Sequence, residues 1–417
     1  MSKTALFAKS GMAVSGHPLA TMEAIRILQA GGSVVDAGIA ASVVLTTVMQ
    51  QATSPAGDIF MLIHHADGGT VGLNGSGPAP QAATPDKFPD GIPKTGPLAS
   101  VVPGIVGAWQ AAYERHGRLP WADLFASGID IAGDGYPLAP VLAGLIAENK
   151  DALARDPGMS GVYLPGGEPL GVGDTLRQPA LARTLSEIAE GGAAAFYEGR
   201  AADAIGRMCE ERGGLIRADD FKTVAPEWVT PIETDYRGLT VRVMPPNSFG
   251  ILLLLQLNVL GGVDPTRLRG LTADRFEHFI HAARAAFAEG EPRIADPAFA
   301  DIPLDELLGE ATTARLRAMV DAPAEMPVPG DGTSALSVAD GEGNGITFVQ
   351  SVFAAFGSFV LEPETGLLMN NRLSGFKTEP GHPSVIAPGK RPPHTLNPTQ
   401  AFEGGRLRYM MATPGAQ

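Results

Sequence analysis

Apolar residues recur at a helical period near the start of the chain. From His17 to Ala30 they fall mostly on one face, and two glycines directly after this segment interrupt the pattern. This predicts an amphipathic helix that ends at the glycines. The next segment, from Val34 to about Val48, is rich in Ala and Val on all sides. We therefore predict a second helix that lies deep in the core.

Strand patterns follow these two helices. Ile59 to His65 and Val71 to Asn74 are largely apolar runs with an Asp-Gly-Gly turn between them, which predicts two strands joined as a hairpin. From Val102 to about Ile188 the pattern is mainly helical. Farther along the chain, Thr272 can cap another helix. The apolar side chains of this helix are predicted to share one face: Phe276, Phe279, Ile280, Ala283 and Phe287.

The pattern changes near position 332. Residues 321–332 contain three prolines and have the composition of a linker. Residues 335–339 and 346–352 then alternate or are apolar in the manner of strands, and the Gly-rich segment between them predicts a hairpin connection. Helices followed by paired antiparallel strands predict an α/β sandwich. This pattern alone identifies no function.

Composition and charge exclude several classes of protein. The chain has 417 residues, of which 44% are hydrophobic, so it can build a large core and is not expected to be disordered. A net charge of −14 without a local basic cluster disfavours nucleic acid as a partner. The only cysteine, Cys209, excludes an internal disulfide and a cysteine-rich metal site.

The N-terminus lacks the apolar core and cleavage site of a signal peptide. No apolar stretch approaches the roughly 18 residues that are needed to cross a bilayer. From these two observations we expect a cytoplasmic protein with no membrane contact.

Two groups of histidines raise the question of a metal site. His64 and His65 are adjacent, and His278 and His281 are spaced to lie on one side of a helix. No carboxylate-rich motif accompanies either pair, so structural histidines are favoured over metal ligands. We expect no metal and no cofactor.

One short segment suggests nucleophilic chemistry. Thr333 follows a glycine and the proline-rich linker, and it directly precedes a predicted strand. If the Gly332–Thr333 bond breaks, Thr333 gains a free α-amino group that can act as the general base for its own hydroxyl. A Gly-Thr pair before a strand is also common in ordinary turns. The pattern by itself leaves both interpretations open.

Motifs along nearly the whole chain resemble those of the γ-glutamyltransferase family. The most specific is GTSALSV at 332–338, which resembles the cleavage site of that family. Other motifs occur in the order and spacing of the family: GMAVSGHPLA at 11–20, GGSVVDA at 31–37, VPG at 102–104, GRLPW at 117–121, FYEG at 196–199, MPPNS at 244–248, GLLMNN at 366–371 and NPT at 397–399.

The resemblance implies a four-layer αββα sandwich of the N-terminal-nucleophile hydrolase type. It also implies autocatalytic cleavage into a large subunit, 1–332, and a small subunit, 333–417, which together form one intertwined domain. The family continues beyond its Pro-Gly motif, so we expect the sequence to end within the small subunit. Assembly of this domain into homo-oligomers stays an open alternative.

The catalytic residues of the family can be carried over individually. Thr333 lies where the family has its nucleophile, and the cleavage site is the Gly332–Thr333 bond. Ser351 replaces a threonine whose hydroxyl supports the nucleophile, so the hydroxyl is retained. Gly415 and Ala416 lie where two backbone N–H groups of the family form the oxyanion hole, and such donors need no particular side chain.

The residues that hold glutamate in the family are replaced in this chain. Ser76 occupies the place of an arginine that binds the α-carboxylate, and a hydroxyl is a poor substitute for a bidentate guanidinium. Gly375, preceded by Ser374, stands where an aspartate of the family binds the α-amino group. Phe353 replaces a substrate-contacting asparagine.

Two further positions change beside these. His394 and Thr395 replace a pair of serines near the family's site. Arg372 is a candidate for binding a substrate carboxylate in place of the lost arginine, and a solvent-facing arginine is an equal alternative.

These departures predict retained catalytic groups and a changed substrate. The first hypothesis is an autoprocessing N-terminal threonine amidohydrolase that acts on a small amide or N-acyl compound such as oxamate. The second is a γ-glutamyltransferase, or glutathione hydrolase, with an altered glutamate clamp. The third is an uncleaved, inactive homologue with a binding or structural role. The expected partners are a small-molecule amide and the two subunits themselves.

Overall fold

A computed structural model describes residues 5–319 and 332–413. The α-helices of this part are α1 (Pro18–Gln29), α2 (Val34–Val48), α3 (Ile105–His116), α4 (Ala126–Asp134), α5 (Pro140–Glu148), α6 (Lys150–Leu153), α7 (Pro157–Tyr163), α8 (Pro179–Tyr197), α9 (Arg200–Glu211), α10 (Gly250–Leu260), α11 (Ala273–Gly290), α12 (Leu304–Leu308) and α13 (Glu310–Ala318). The strands are β1 (Gly11–Ser15), β2 (Asp58–His64), β3 (Thr70–Gly75), β4 (Tyr136–Pro137), β5 (Thr175–Leu176), β6 (Glu227–Val229), β7 (Ile232–Tyr236), β8 (Leu239–Val243), β9 (Gly332–Asp340), β10 (Gly345–Phe353), β11 (Leu361–Glu362), β12 (Leu367–Leu368), β13 (Thr399–Glu403) and β14 (Arg406–Met411).

The larger sheet combines strands from distant parts of the chain. Its order is β1-β9-β10-β2-β3-β6, and every neighbouring pair is antiparallel. The β9–β10 hairpin therefore lies between β1 and β2, which come from the first 64 residues. Residues on both sides of position 332 form a single hydrogen-bonded layer.

Helix α2 covers one face of this sheet. It begins with a capping box, in which the Ser33 hydroxyl accepts from the Asp36 N–H at 3.0 Å and the Asp36 carboxylate accepts from the Ser33 N–H at 2.8 Å. Every residue of α2 is buried, and it packs with Leu336 and Phe348 of β9 and β10 in the largest apolar cluster. The all-round apolar pattern therefore predicted its central position correctly.

A second sheet lies against the opposite face. Its order is β14-β13-β8-β7. Phe60 and Val349 of the larger sheet share an apolar cluster with Met244 and Leu396, which border β8 and β13. The Gln400 side chain of β13 also donates to the carbonyl oxygen of Leu62 in β2 at 3.1 Å. Helix α10 packs behind this second sheet, and α11 packs on α10.

Most of the predicted elements are confirmed with small shifts at their ends. The helix expected over 17–30 is α1, and the two strands expected around the Asp-Gly-Gly turn are β2 and β3. The hairpin after position 332 is present as β9 and β10, and the Asp340 carboxylate accepts from the backbone N–H groups of Glu342 and Asn344 at its turn. Within residues 5–319 and 332–413, no helix has the length and apolar character to cross a membrane.

The predicted apolar face of α11 is partly wrong. Phe276 and Ile280 are each 49% exposed, whereas the small residues Ala282 and Ala286 are buried. The reason lies in α10, whose leucines already fill the space between the two helices. Small residues on α11 allow this close approach, so Phe276 and Ile280 lie toward solvent while Phe279 and Phe287 pack at the edge of the cluster.

Candidate active site

Three neighbouring strands place two hydroxyls and a carboxyl in one row. Thr333 of β9 lies opposite Ser351 of β10, and Ser351 lies opposite Asp58 of β2. Residues directly opposite each other in antiparallel strands point to the same face of a sheet. These three side chains therefore lie on the face that meets the second sheet.

The two hydroxyls are in hydrogen-bond contact. The Thr333 Oγ1 atom lies 3.1 Å from the Ser351 Oγ atom, and either can donate. The Ser351 Oγ atom also accepts from the backbone N–H of Phe353 at 2.7 Å. Ser351 is fully buried and Thr333 is half-buried, so Thr333 is the more accessible of the two hydroxyls.

A backbone irregularity fixes the Ser351 side chain. The register between β9 and β10 shifts between Ser351 and Phe353, and Phe353 has a φ of 84°. A bulge of this kind redirects the side chains next to it. Gly57 also packs against the backbone of Ser351, because a Cβ atom at position 57 would lie 2.5 Å from the Ser351 carbonyl oxygen. Only glycine allows the turn before β2 to approach Ser351 so closely.

A buried charged cluster adjoins the hydroxyl pair. One oxygen of the Asp58 carboxylate accepts from the Gly77 N–H at 2.7 Å, and the other lies 3.0 Å from the His394 Nε2 atom. The Arg372 Nε atom is 4.0 Å from that second oxygen. Asp58 and His394 are fully buried, and Arg372 is 1% exposed. We call Asp58, His394 and Arg372 the charged cluster.

Burial determines the protonation of His394. Burial, and secondarily the charge of Arg372, lowers the pKa of His394 to about 4, against the opposing effect of Asp58. His394 is therefore neutral at pH 7, and its contact with the Asp58 carboxylate places the remaining proton on Nε2. The His394 Nδ1 atom has no hydrogen-bond partner among the described residues.

Arg372 is covered by an aromatic ring. Its guanidinium carbon lies 3.9 Å from the centre of the Phe353 ring. Its Nε and Nη2 atoms have no hydrogen-bond partner in the part of the chain that the structure describes. Burial lowers the pKa of Arg372 to about 9, partly offset by Asp58, so the side chain stays charged at neutral pH. The alternative of a solvent-facing arginine is excluded by its burial.

The other predicted substrate residues do not converge on one point. Ser76 is buried, and its hydroxyl donates to Asn74 at 2.7 Å. The Ser374 hydroxyl donates to the Asn371 carbonyl oxygen at 2.8 Å. Thr395 is exposed, although it follows His394 directly. Ser351, Arg372 and His394 are thus brought together around Asp58, whereas the Ser76 and Ser374 hydroxyls bond elsewhere and Thr395 is exposed.

Four backbone positions complete the set of predicted site residues. Gly375 is half-buried beside the carbonyl oxygen of Pro393. Gly332 is the first residue of β9 and pairs with Phe353 in the register of the sheet. Gly415 and Ala416, the predicted oxyanion-hole donors, lie outside the described residues.

A cavity of about 580 Å³ adjoins Thr333. Apolar side chains from the ends of β1 and α2 and from α5 form most of its wall, including Val14, Val48 and Leu142. The wall also contains Thr333 itself and Gln51, whose Oε1 atom is buried without a hydrogen-bond partner among the described residues. No charged side chain is among its described lining residues. We call this space the apolar cavity.

Two residues of this site, Asp58 and Gln51, were not predicted from the sequence. Asp58 could have been identified as the only charged residue in the otherwise apolar run 56–63. A carboxylate in such a run must find partners when it is buried. The cavity wall combines residues from several distant parts of the chain, so no local pattern could reveal it.

The histidine pairs make no metal cluster in the described residues. Within residues 5–319 and 332–413, no group of three or more His, Cys, Asp or Glu side chains is placed to hold a metal ion. The His64 Nδ1 atom lies 3.0 Å from the Thr70 hydroxyl, and the His278 Nε2 atom lies 3.6 Å from the Asp274 carboxylate.

Comparisons with known proteins agree with the motifs. A family model described as gamma-glutamyltranspeptidase matches residues 20–417. A glutathione hydrolase-like YwrD proenzyme of Bacillus subtilis is 35% identical over 100% of this chain and 81% of its own length. An oxamate amidohydrolase proenzyme of Klebsiella pneumoniae is 33% identical over 95% of this chain and 77% of its own. The crystal structure of a cephalosporin acylase from Bacillus halodurans superposes with a TM-score of 0.92 at 33% identity, over 98% of this chain and 78% of that one.

Proposed function

Because the chain belongs to the γ-glutamyltranspeptidase family, we propose that it is an amidohydrolase that cleaves itself between Gly332 and Thr333. The observation that carries this proposal is the 3.1 Å contact between the Thr333 and Ser351 hydroxyls, which the strand register positions beside a cavity. Relatives named as proenzymes support the same maturation.

Maturation is an attack by Thr333 on its own peptide bond. Its Oγ1 atom bonds to the carbonyl carbon of Gly332, the carbon–nitrogen bond breaks, and the hydroxyl proton ends on the Thr333 nitrogen. Water then hydrolyses the resulting ester and leaves a carboxylate on Gly332. The products are a large subunit, 1–332, and a small subunit that begins at Thr333.

Because both subunits contribute strands to the larger sheet, they stay in one intertwined domain. We interpret the packing of α2, the two sheets and α10 as the four-layer αββα sandwich of N-terminal-nucleophile hydrolases.

The mature Thr333 supplies both nucleophile and base. Its free α-amine accepts the Oγ1 proton while Oγ1 attacks the substrate amide, and the Ser351 hydroxyl holds Oγ1 in position. The backbone N–H groups of Gly415 and Ala416 stabilise the oxyanion. The departing amine takes the proton, and water then releases the acyl group as a carboxylic acid.

The substrate is a small amide or N-acyl compound, of which oxamate is one example. The family's arginine position is Ser76, whose hydroxyl is already bonded to Asn74, so a γ-glutamyl clamp cannot form in the usual way. We assign Arg372 to a carboxylate of those substrates that carry one, because its Nε and Nη2 donors are unpartnered among the described residues. Phe353 covers this guanidinium, so binding of a carboxylate requires the Phe353 ring to move.

Self-cleavage and amidase activity test the proposal together. Denaturing mass spectrometry of the purified wild type should give two fragments that meet at 332/333. Thr333→Ala should stay in one piece and lose at least about 10³-fold in amide hydrolysis, because nucleophile and base are both affected. Thr333→Ser keeps the hydroxyl and should retain cleavage. A wild type that stays intact, or a Thr333→Ala variant that still cleaves, would contradict the proposal and favour an inactive homologue.

The choice between amide classes needs a second measurement. Release of p-nitroaniline from γ-glutamyl-p-nitroanilide, compared with release of ammonia from oxamate, separates a glutamyl clamp from small-amide chemistry. We expect oxamate to be hydrolysed and the glutamyl compound to be poor. The reverse order would support the γ-glutamyltransferase alternative.

A further inference from the structure

The Phe353 ring covers the proposed substrate arginine. Its centre lies 3.9 Å from the Arg372 guanidinium carbon, and Arg372 is 1% exposed. Phe353 itself is half-buried, which places this contact near the protein surface. The Nε and Nη2 atoms of Arg372 form one edge of the guanidinium and have no hydrogen-bond partner among the described residues. Once the ring has moved, this edge can bind both oxygens of a carboxylate.

The backbone of Phe353 is held in an unfavourable conformation. Its φ of 84° lies in the left-handed region, which bulky residues rarely adopt. Its N–H donates to the Ser351 hydroxyl at 2.7 Å, and the next N–H, of Ala354, donates to the Asn371 side chain at 3.0 Å. Because Asn371 directly precedes Arg372, these bonds fix Phe353 beside the guanidinium. A strained conformation of this kind persists only while its surroundings hold it.

Gly332 is part of these surroundings. It pairs with Phe353 across β9 and β10, beyond the register shift that follows Ser351. It also carries the carbonyl group of the bond that is assigned to scission. A peptide C–N bond is about 1.33 Å long, whereas the same two atoms without a bond stay roughly 3 Å apart or more. Because the rest of β9 holds Thr333 in the sheet, scission displaces Gly332, which becomes a free and charged chain end.

We propose that Phe353 is a gate that couples scission of the chain to access to Arg372. In the uncleaved chain, the pairing with Gly332 keeps the Phe353 ring over the guanidinium. When Gly332 departs, Phe353 loses its cross-strand partner and relaxes out of the left-handed region, and its ring leaves the carboxylate-binding edge of Arg372 open. The inference rests on the proposed function and adds the regulation of its substrate site.

The gate changes the fraction of molecules that can bind a carboxylate. The apparent affinity of a site falls by the fraction of molecules in which that site is open. Arg372 should therefore be accessible to small molecules in the cleaved protein and protected in the uncleaved one. This difference concerns accessibility, so it can be measured without any substrate turnover.

Chemical labelling of Arg372 tests the gate. Phenylglyoxal reacts with accessible guanidinium groups, and peptide mass spectrometry measures the rate at each arginine. The mature wild type is compared with Thr333→Ala, which we expect to stay in one piece, and with Thr333→Ser, which we expect to cleave. Arg372 should be labelled at least about tenfold faster in the two cleaved proteins than in Thr333→Ala, because only open molecules react. Arg183, whose side chain is 68% exposed, should react equally in all three.

Two phenylalanine variants isolate the ring. In the uncleaved Thr333→Ala background, Phe353→Gly removes the ring and suits the φ of 84°, so Arg372 should be labelled as fast as in the mature protein. Phe359 also has a positive φ, 56°, and its ring packs on Phe356. Phe359→Gly in the same background is therefore the matched control and should leave Arg372 protected. The comparison of Thr333→Ala with Thr333→Ser needs neither substitution.

Oxalate is the probe for the carboxylate itself. In the mature wild type it should slow the labelling of Arg372 in a concentration-dependent manner, because its carboxylates accept from the Nε and Nη2 donors. The labelling of Arg183 should not change. Unaltered labelling of Arg372 at saturating oxalate would contradict the assignment of the opened edge to a carboxylate.

The possible outcomes separate this inference from the proposed function. Equal labelling of Arg372 in the cleaved and uncleaved proteins overturns the gate, and so do equal rates in the Phe353→Gly and Phe359→Gly variants. If the wild type forms fragments that meet at 332/333 and hydrolyses oxamate, the proposed function stands whatever the labelling shows. If the wild type stays intact, the proposed function fails, and the gate fails with it because it depends on scission.

Discussion

Thr333 lies between two regions with opposite chemistry. On one side, across β10, the charged cluster of Asp58, Arg372 and His394 is almost completely buried. On the other, the apolar cavity holds about 580 Å³ of space and has no charged side chain in its described lining. The charged cluster is closely packed, whereas the apolar cavity contains open space and has no charged side chain in its described lining.

This difference indicates which region holds the hydroxyl pair in place. Asp58 is bonded to a backbone N–H and to His394, and it lies at the same register position as the Ser351–Thr333 pair. Such a network holds neighbouring strands in fixed positions at a high desolvation cost. The described lining of the cavity contains no such network of charged groups. We therefore expect changes at Asp58 and His394 to affect stability, whereas Arg372 is also the residue that we propose for a substrate carboxylate.

Removal of the Asp58 carboxylate should have the largest effect on stability. Asp58→Ala leaves the Arg372 charge and the Gly77 N–H without their partner in a buried region, which should cost about 3–5 kcal/mol in the free energy of unfolding. Urea denaturation in a Thr333→Ala background, where we expect the chain to stay in one piece, measures it. Asp67→Ala, in an exposed turn, is the control and should change stability by less than about 0.5 kcal/mol. A loss below about 1 kcal/mol for Asp58→Ala would contradict the assigned role.

Acid should weaken the same region through His394. Its pKa in the folded protein is about 4, below its ordinary value of 6.5, so the unfolded chain binds a proton first as the pH falls. The contribution of neutral His394 to the free energy of unfolding is present in full above pH 6.5. It decreases by about 3 kcal/mol in total as the pH falls to 4. Denaturation of the same Thr333→Ala chain at several pH values measures this slope.

A variant without the titrating ring isolates this contribution. His394→Gln should flatten the slope between pH 4 and 6.5 and leave the behaviour above pH 7 parallel to that of the parent chain. An unchanged slope would mean that other groups cause the acid sensitivity. A His116→Gln variant should be measured in the same way, because burial also lowers the pKa of His116 to about 4.

Truncation of a cavity-lining leucine should have the smallest effect. Leu142 lines the apolar cavity although it is only 4% exposed, and Leu142→Ala should cost about 2 kcal/mol, at the low end for a buried leucine. Leu185 lies in the main core and is fully buried, so Leu185→Ala should cost about 3–4 kcal/mol. Equal losses in urea denaturation would indicate that the cavity is filled in solution.

The sequence predicted local structure better than it predicted the site. Periodicity located α1, α2 and the β9–β10 hairpin, because these elements depend on local spacing and turn residues. It failed for the exposed Phe276 and Ile280, because α10 determines which side of α11 is buried. Family motifs led to Thr333, Ser351 and Arg372, but the burial of Arg372 under Phe353 depends on a fold contact that no spacing reveals.

The cavity was out of reach of sequence reasoning for a similar reason. Its wall combines residues near positions 14–18, 48–52, 136–145 and 333–335, which meet only when the sheet and helices assemble. The position of Asp58 beside the hydroxyl pair likewise follows from strand register. Chain order alone does not determine which strands become neighbours.

The register that pairs Thr333 with Ser351 also acts as a check on folding. Side chains alternate between the two faces of a strand, so a slip of one residue between β9 and β10 would turn the Thr333 hydroxyl toward the helices and away from Ser351. A misaligned copy would thus lack the arrangement that we propose for scission. On this view, the presence of two fragments reports that the central strands of an individual molecule have aligned correctly.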